Sequence, residues 1–277
     1  MATLSTLLEN TRRLGSEDGL NVVAFSGGVD SSLVAYAVAQ VFPDKSMACI
    51  GLSAALPMDQ LELARQVAHG VGIPLRELAT SEGELPEYVA NNGAACFFCK
   101  TTLYGTLEDF GRQVMLEVGA GRQVVMFNGT NQDDLRDPTR LGLKAAANFQ
   151  VASPLVGLTK IEVRQLAREV GLPNWNYAAS PCLRSRLQLG VAATPERLRR
   201  VEKAERLIRT RLDLVPSDNL RVRVLEGEVA AIEVDDEPLE RLRQIEAGVW
   251  GELHALGFSS VQVRPFLSGS LSHLRNG

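Results

Sequence analysis

Two sets of residues in this chain have types and spacings suited to chemistry. The first is Ser26-Gly27-Gly28-Val29-Asp30-Ser31-Ser32, which follows the apolar run Asn21–Phe25 and opens a helical stretch. Glycines let a backbone turn tightly and approach an anion closely. Free amides at a helix N-terminus point at such an anion, and the helix dipole adds attraction. Ser26, Ser31 and Ser32 can donate hydroxyl hydrogen bonds, so the segment reads as a phosphate cradle. Asp30 is out of place beside phosphate unless it binds Mg2+ or orients the loop. The second set is thiols. Cys96 and Cys99 form C-F-F-C ahead of Lys100, and Cys182 sits in S-P-C-L-R-S-R.

The thiols admit several readings. A structural zinc site needs four ligands, and His69, His254 and His273 offer no obvious fourth. Thioredoxin-type redox chemistry lacks the preceding strand it would need. Three soft thiolates suit a [4Fe–4S] cluster with one iron open to an external ligand such as hydrosulfide. Against this stands Cys182 acting alone, with Arg184 and Arg186 nearby to favour its thiolate. The fourth cysteine, Cys49, lies in an apolar run and reads as a core thiol.

A second polar turn, Gly129-Thr130-Asn131-Gln132-Asp133-Asp134, follows the apolar run Gln123–Phe127. Asn131 and the aspartates fall where a strand's C-terminus meets a ligand crevice. Asp133 or Asp134 could hold Mg2+; an Asx-rich turn is the plainer alternative.

The 277 residues are 45% hydrophobic and 22% charged, ordinary globular values with length enough for two domains. Acidic residues number 33 against 29 basic, a net charge of −4. That balance argues against a nucleic-acid partner, which usually meets a basic surface. No apolar stretch is long enough to span a bilayer, and Met1–Arg13 carries Glu9, Arg12 and Arg13 instead of a leader's apolar core. A cytoplasmic location with no membrane partner is expected, which disfavours disulfides.

The elements that must position these residues alternate. Strands are expected at Asn21–Phe25, Met47–Leu52, Leu75–Ala79 and Gln123–Phe127, with helices at Ser31–Val41, Asp59–Val71 and Thr101–Val118. Apolar strands separated by helices imply an α/β fold, a parallel sheet covered on both faces. Thr159-Lys160-Ile161-Glu162 reads as a capping box opening a helix through Arg168, stopped by Gly171-Leu172-Pro173. Pro173–Gly190 reads as a functional loop. The remainder changes rhythm. A helix opens at Thr194-Pro195, with Leu198, Val201, Glu205 and Ile208 on one side. Strands Leu220–Leu225 and Val229–Val234 form a hairpin around Glu226-Gly227-Glu228. A helix over Leu239–Leu256 and a strand over Ser259–Pro265 complete the chain. The expected division is 1–189, holding the phosphate cradle, and 190–277, a small α+β domain.

The segment Ser26–Ser31 resembles the PP-loop, S-G-G-x-D-S, of the ATP-pyrophosphatase superfamily, and Gly129–Asp134 is similar to its G-T-N-x-D-D segment. The resemblance implies cleavage of ATP to AMP and pyrophosphate. It puts ATP against Ser26, Gly27, Gly28, Asp30, Ser31, Ser32, Gly129, Asn131 and Asp133, with adenine at Leu52 and Ser53.

Over nearly the whole chain the sequence resembles the LarE family. The likeness runs through Ala24–Ser32, Gly129–Leu135, Gly142–Ala145, Val170–Asn176, Ala179–Arg186, Leu220–Val224 and Ile232–Val234. This implies an ATP-dependent sulfur transferase that serves the nickel-pincer nucleotide cofactor of lactate racemase. The family adenylates a pyridinium carboxylate mononucleotide and converts it to the thiocarboxylate. One branch consumes a cysteine as sulfur donor; another holds a [4Fe–4S] cluster on three cysteines and uses sulfide. Cys96, Cys99 and Cys182 match the second branch, with Cys182, Asp30 and Arg186 in catalysis. Arg221 and Arg223, at i and i+2 on one strand face, match the family's phosphate-binding arginines, and Lys100 is a further substrate contact. Without the resemblance, a solvated strand face is an equally good reading of the arginine pair. A homo-oligomer is also implied. Arg136–Gly142 is looser than the family's pattern, and Leu267 in Phe266–Gly269 stands where an arginine is expected. The rival readings are tRNA thiolation, disfavoured by the acidic balance, and a regulatory nucleotide-binding module, which has no use for three spaced cysteines.

Overall fold

The computed structural model describes residues 3–117, 123–137 and 140–267. Val118, Pro138, Thr139, Ser268, Gly269 and His273 lie outside the described residues. The chain divides into two compact units: Met1–Glu82 with Cys96–Asn176, and Gly83–Ala95 with Tyr177–Gly277.

The first unit opens with α1 (Leu4–Leu14), β1 (Leu20–Ala24), α2 (Val29–Val41), β2 (Ser46–Leu52), α3 (Met58–Val71) and β3 (Leu75–Ala79). After a short helix belonging to the second unit, α4 (Pro86–Val89), it continues with α5 (Ala95–Glu117), β4 (Val124–Phe127), α6 (Gln132–Leu135), α7 (Gly142–Asn148) and α8 (Lys160–Glu169). The four strands are parallel in the order β3-β2-β1-β4, with Asn21 opposite both Ser46 and Val125. Every residue of β1 is buried, as a central parallel strand covered on both faces requires. One face packs Val23, Phe25 and Ile50 with Leu33 and Val38 of α2, Val67 of α3 and Leu166 of α8. The other packs Val22, Cys49 and Met126 with Tyr104 and Leu107 of α5 and Ala145 of α7. The α/β fold read from the sequence is the one observed.

Two helix expectations need correction. The helix expected from Thr101 begins at Ala95, so Cys96 and Cys99 lie within its first two turns and not ahead of it. Gly93, at φ 90°, turns the chain, and no glycine or proline then interrupts until Gly105. The capping box at Thr159 is present, its hydroxyl accepting from the Glu162 amide while the Glu162 carboxylate accepts from the Thr159 amide.

The second unit's main elements are α9 (Pro195–Arg211), β5 (Leu220–Leu225), β6 (Val229–Val234), α10 (Asp236–Gln244), α11 (Glu246–Ala255) and β7 (Ser260–Pro265). The antiparallel hairpin β5–β6 is as expected, and β7 joins β6 in parallel through the helical crossover. That crossover is two helices, where one was expected over Leu239–Leu256. Ile245 leaves helical geometry (φ −113°, ψ 9°), and its amide closes a tight turn on the Leu242 carbonyl. Gly248 and Gly251 weaken the α11 side of the break.

Candidate active site

In the first unit, the β1–α2 turn forms a backbone nest. Gly27 sits at φ 68°, a left-handed conformation that a side chain resists. A Cβ there would lie 2.9 Å from the Ala64 Cα on α3, so the position is closed to any larger residue. Ser31, almost wholly buried, organises the turn. Its hydroxyl donates to the Gly28 carbonyl at 3.0 Å, accepts from the Ser26 amide at 3.2 Å and meets the Ser26 hydroxyl at 3.0 Å. Ser26 is exposed, the one serine of the turn that faces outward, and Gln60 of α3 donates to its carbonyl at 2.7 Å. Ser32 does not fit the expectation of a phosphate donor: it is fully buried, and its hydroxyl accepts from Asn174 at 3.0 Å. Position i+4 from Gly28 turns it into the core instead of toward the loop mouth.

The Gly129–Asp134 turn packs against this nest. A Cβ on Gly129 would lie 2.8 Å from both the Asp30 Cβ and the Ser31 amide, so glycine is what lets the two turns touch. Asn131 is fully buried and caps α6 reciprocally with Asp134. That box commits its carbonyl oxygen to the Asp134 amide and leaves its Nδ2 to donate to Asp30 at 2.9 Å. Burial, the largest influence, lifts the Asp30 carboxyl above its ordinary range; the Asn131 hydrogen bond opposes this, Asp134 adds to it and Lys160 opposes it.

The aspartates of the turn are already engaged. Asp133 accepts from the Lys160 amide at 2.7 Å, holding the start of α8. Asp134 pairs with Arg140 at 3.0 Å and Lys160 at 3.4 Å. Of the three aspartates, Asp30 is the one that belongs to the nest itself, in the first turn of α2. At the end of β2, the Leu52 carbonyl accepts from Thr80 and the Ser53 hydroxyl from the Ala55 amide. Lys100 lies on α5 with its ammonium 5.8 Å from the Tyr104 ring centre. Sequence reasoning missed Gln60, Lys160 and Asn174 as parts of this site. Each reaches it from a distant segment, and the local sequence around none of the three shows that reach.

In the second unit, Cys182 precedes a 3-10 turn, Leu183–Arg186. The solvated-face reading of Arg221 and Arg223 is overturned, since each is only 6% exposed. Arg223 pairs with Glu233 at 2.8 Å and donates to the Ser185 carbonyl at 2.8 Å. Arg221 donates to the Leu220 and Ala179 carbonyls and lies 5.5 Å from the Phe266 ring centre. Glu233, fully buried, also takes Arg264 at 2.7 Å. Arg186 is 1% exposed and held by Glu205 at 2.8 Å; its guanidinium also donates to the Pro181 and Cys182 carbonyls. Through these bonds it braces the backbone on either side of the cysteine's peptide. Arg184 donates to Asn91 at 3.1 Å.

Burial and the charges of Arg186, Arg223 and Arg209, partly offset by Glu205, push Arg221 down to about 10. Five arginines (186, 209, 221, 223 and 264) thus share this region with two glutamates, Glu205 and Glu233. Of these, Arg186, Arg221 and Arg223 are buried, where positive charge is costly unless partners complete it.

Cys96 is exposed, and Cys99 and Cys182 are half-buried. Among the described residues, no three His, Cys, Asp or Glu side chains gather in a metal-binding group. None of the described helices is long and apolar enough to cross a membrane.

The asparagine synthase family profile matches residues 6–129, the stretch that builds β1, the nest and β4. Uncharacterized protein slr1717 of Synechocystis is 38% identical over 243 residues, 87% of this chain and 86% of that protein. The pyridinium-3,5-bisthiocarboxylic acid mononucleotide synthase of Lactiplantibacillus plantarum is 28% identical over 264 residues, 94% of this chain and 88% of that protein. With the phosphate nest, the Gly129–Asp134 turn and these whole-chain likenesses together, the chain belongs to the LarE family of PP-loop, ATP-using enzymes.

Proposed function

We propose that the chain uses ATP to activate a pyridinium carboxylate mononucleotide and replaces a carboxylate oxygen with sulfur, supplying the thiocarboxylate of the nickel-pincer cofactor of lactate racemase. The observation that carries this reading is the nest at Ser26–Ser31 with Asp30 held beside it by Asn131. The Lactiplantibacillus relative, a pyridinium-3,5-bisthiocarboxylic acid mononucleotide synthase, supplies the substrate class.

A carboxylate is a poor electrophile because its leaving group would be oxide. In the first step its oxygen attacks the α-phosphorus of ATP, and the bond to the β-phosphate oxygen breaks. Pyrophosphate leaves, and the carboxyl carbon now carries AMP as a good leaving group. The nest amides hold the departing charge, and Mg2+ on Asp30 would neutralise more of it. Sulfur then attacks the carboxyl carbon, the carbon–oxygen bond to AMP breaks, and the displaced oxygen leaves within AMP. The arginine cluster around Arg221 and Arg223 would meet the mononucleotide's phosphate and second carboxylate.

Two sulfur sources suit the thiols. Cys96, Cys99 and Cys182 would hold a [4Fe–4S] cluster; their soft donors, one helical turn apart for the first pair, suit it in kind. Such a cluster leaves one iron open to exogenous sulfide and so provides renewable sulfur. The second reading has Cys182 as donor, its backbone braced by Arg186. Its thiolate would attack the adenylate to form a thioester. Loss of the Cys182 α-proton then breaks the Cβ–S bond, leaving dehydroalanine and the thiocarboxylate.

The test is anaerobic protein with ATP, substrate and sulfide, assayed for AMP, pyrophosphate and thiocarboxylate, together with iron content and intact mass. The proposal expects all three products. Iron with repeated turnover supports the cluster. No iron, one turnover and a mass loss of hydrogen sulfide supports Cys182. ADP in place of AMP overturns both.

A further inference from the structure

A glycine pair gives a phosphate loop its reach and also a weakness. The peptide unit between Gly27 and Gly28 has no Cβ on either side to oppose its rotation, so its carbonyl and amide can exchange places at low cost. In a trans peptide the C=O and N–H point in opposite directions. Whatever holds the Gly27 carbonyl therefore also decides where the Gly28 amide points.

Asn174 holds that carbonyl. It is 1% exposed, and its Nδ2 donates to the Gly27 carbonyl at 2.8 Å and to the Ser32 hydroxyl at 3.0 Å. The side chain's orientation follows from chemistry: Gly27 offers only an acceptor, so the NH2 end must face it. Neighbours hold the segment that delivers the amide. Gly171, at φ 75°, turns the chain out of α8. Arg164 then donates to the Trp175 carbonyl at 2.8 Å, and Arg168 lies 4.9 Å from the Trp175 ring centre. With its carbonyl drawn inward, the Gly28 amide faces the mouth of the nest. There it meets only the Ser26 hydroxyl, at a long 3.4 Å that an anion would displace.

We propose that Asn174 is a positioning residue for phosphate: it locks the Gly27–Gly28 peptide so that the Gly28 amide is aimed at the ATP phosphates before ATP arrives. This rests on the reading of Ser26–Ser31 as the ATP site. Asn174 lies in the turn after α8, and its two partners lie more than a hundred residues upstream.

The experiment is calorimetric titration of the full chain with ATP, inorganic pyrophosphate and adenosine, for the wild type, Asn174→Ala and Asn174→Asp. The aspartate variant keeps the shape but has no N–H to give, so it serves if the alanine variant does not fold. The expected result is a loss of about tenfold or more in affinity for ATP and pyrophosphate, with adenosine unchanged. A merely structural role would lower the number of binding sites for all three ligands together and leave each affinity alone. That pattern, or unchanged pyrophosphate affinity in a folded variant, overturns the inference. Failure of the wild type to bind ATP or pyrophosphate would instead remove the ATP-site reading beneath it.

Discussion

The phosphate nest of the first unit and the arginine cluster of the second both suit anions, by opposite means. The nest uses backbone amides and small residues in one contiguous run, Ser26–Ser32, trimmed so that a neighbouring turn can touch it. The cluster uses long charged side chains from five segments, with residues 179–186, 205, 221–223, 233 and 264 locked into one network. Shape dominates in the nest and charge balance in the cluster. The nest should therefore fail through added atoms, and the cluster through lost partners.

The largest effect is expected from breaking charge balance. Glu233→Ala leaves Arg223 and Arg264 without their shared carboxylate in a buried site, at a cost of about 3–5 kcal/mol. Chemical denaturation should show it as early unfolding of the second unit. A loss below about 1 kcal/mol would mean that the network is solvated, and the contrast with the nest would collapse.

The matching test in the nest is Gly129→Ala. One methyl group would push on Asp30 and Ser31, and a displacement of about 1 Å costs about a hundredfold in rate. Pyrophosphate release should fall by that order with little change in melting temperature. Wild-type activity in this variant would refute the contact between the two turns.

Smaller effects calibrate the comparison. Thr159→Ala removes the cap of α8, which carries Lys160 toward Asp134, and should cost about 1 kcal/mol in thermal stability. Arg112→Ala breaks only a surface i,i+4 pair with Glu108 and should stay within about 0.5 kcal/mol. At Cys49 the expected effect is none. Burial pushes its thiol up to about 12, so alkylation of the native protein near neutral pH should modify exposed Cys96 and spare Cys49. The sign for stability follows. The fold keeps this proton while the unfolded chain loses it above 9.0, so the group's contribution falls as pH rises from there toward 12.

The same contrast explains what the sequence could tell. The strands of the parallel sheet and the nest were legible because burial pattern and turn chemistry are local; β1 and β4 differ from expectation only at their ends. The capping box at Thr159 was legible for the same reason. Glu205 was visible only as a polar interruption of an apolar helix stripe; its role, holding Arg186 and the Val222 amide, lies 17 to 19 residues away. Without the family resemblance, a wet strand face was as good a reading of Arg221 and Arg223 as a binding one, because alternation cannot reveal what covers a face. Asn174 was one polar letter whose partners lie in another segment. The expected division after residue 189 and the observed units differ for a related reason. The Asn91 side chain donates to the Gln188 and Val191 carbonyls, and the Ala193 amide donates to the Val89 carbonyl. These contacts tie a segment from the middle of the chain to the second unit.

The most direct test of the central claim follows the oxygen. The mononucleotide would be made with heavy oxygen in its carboxylates and incubated with ATP, Mg2+ and sulfide. Activation as an adenylate predicts AMP carrying one heavy oxygen on its phosphate, formed in step with pyrophosphate and the thiocarboxylate. AMP without the label would mean that water, not the carboxylate, attacks ATP, and would contradict the account.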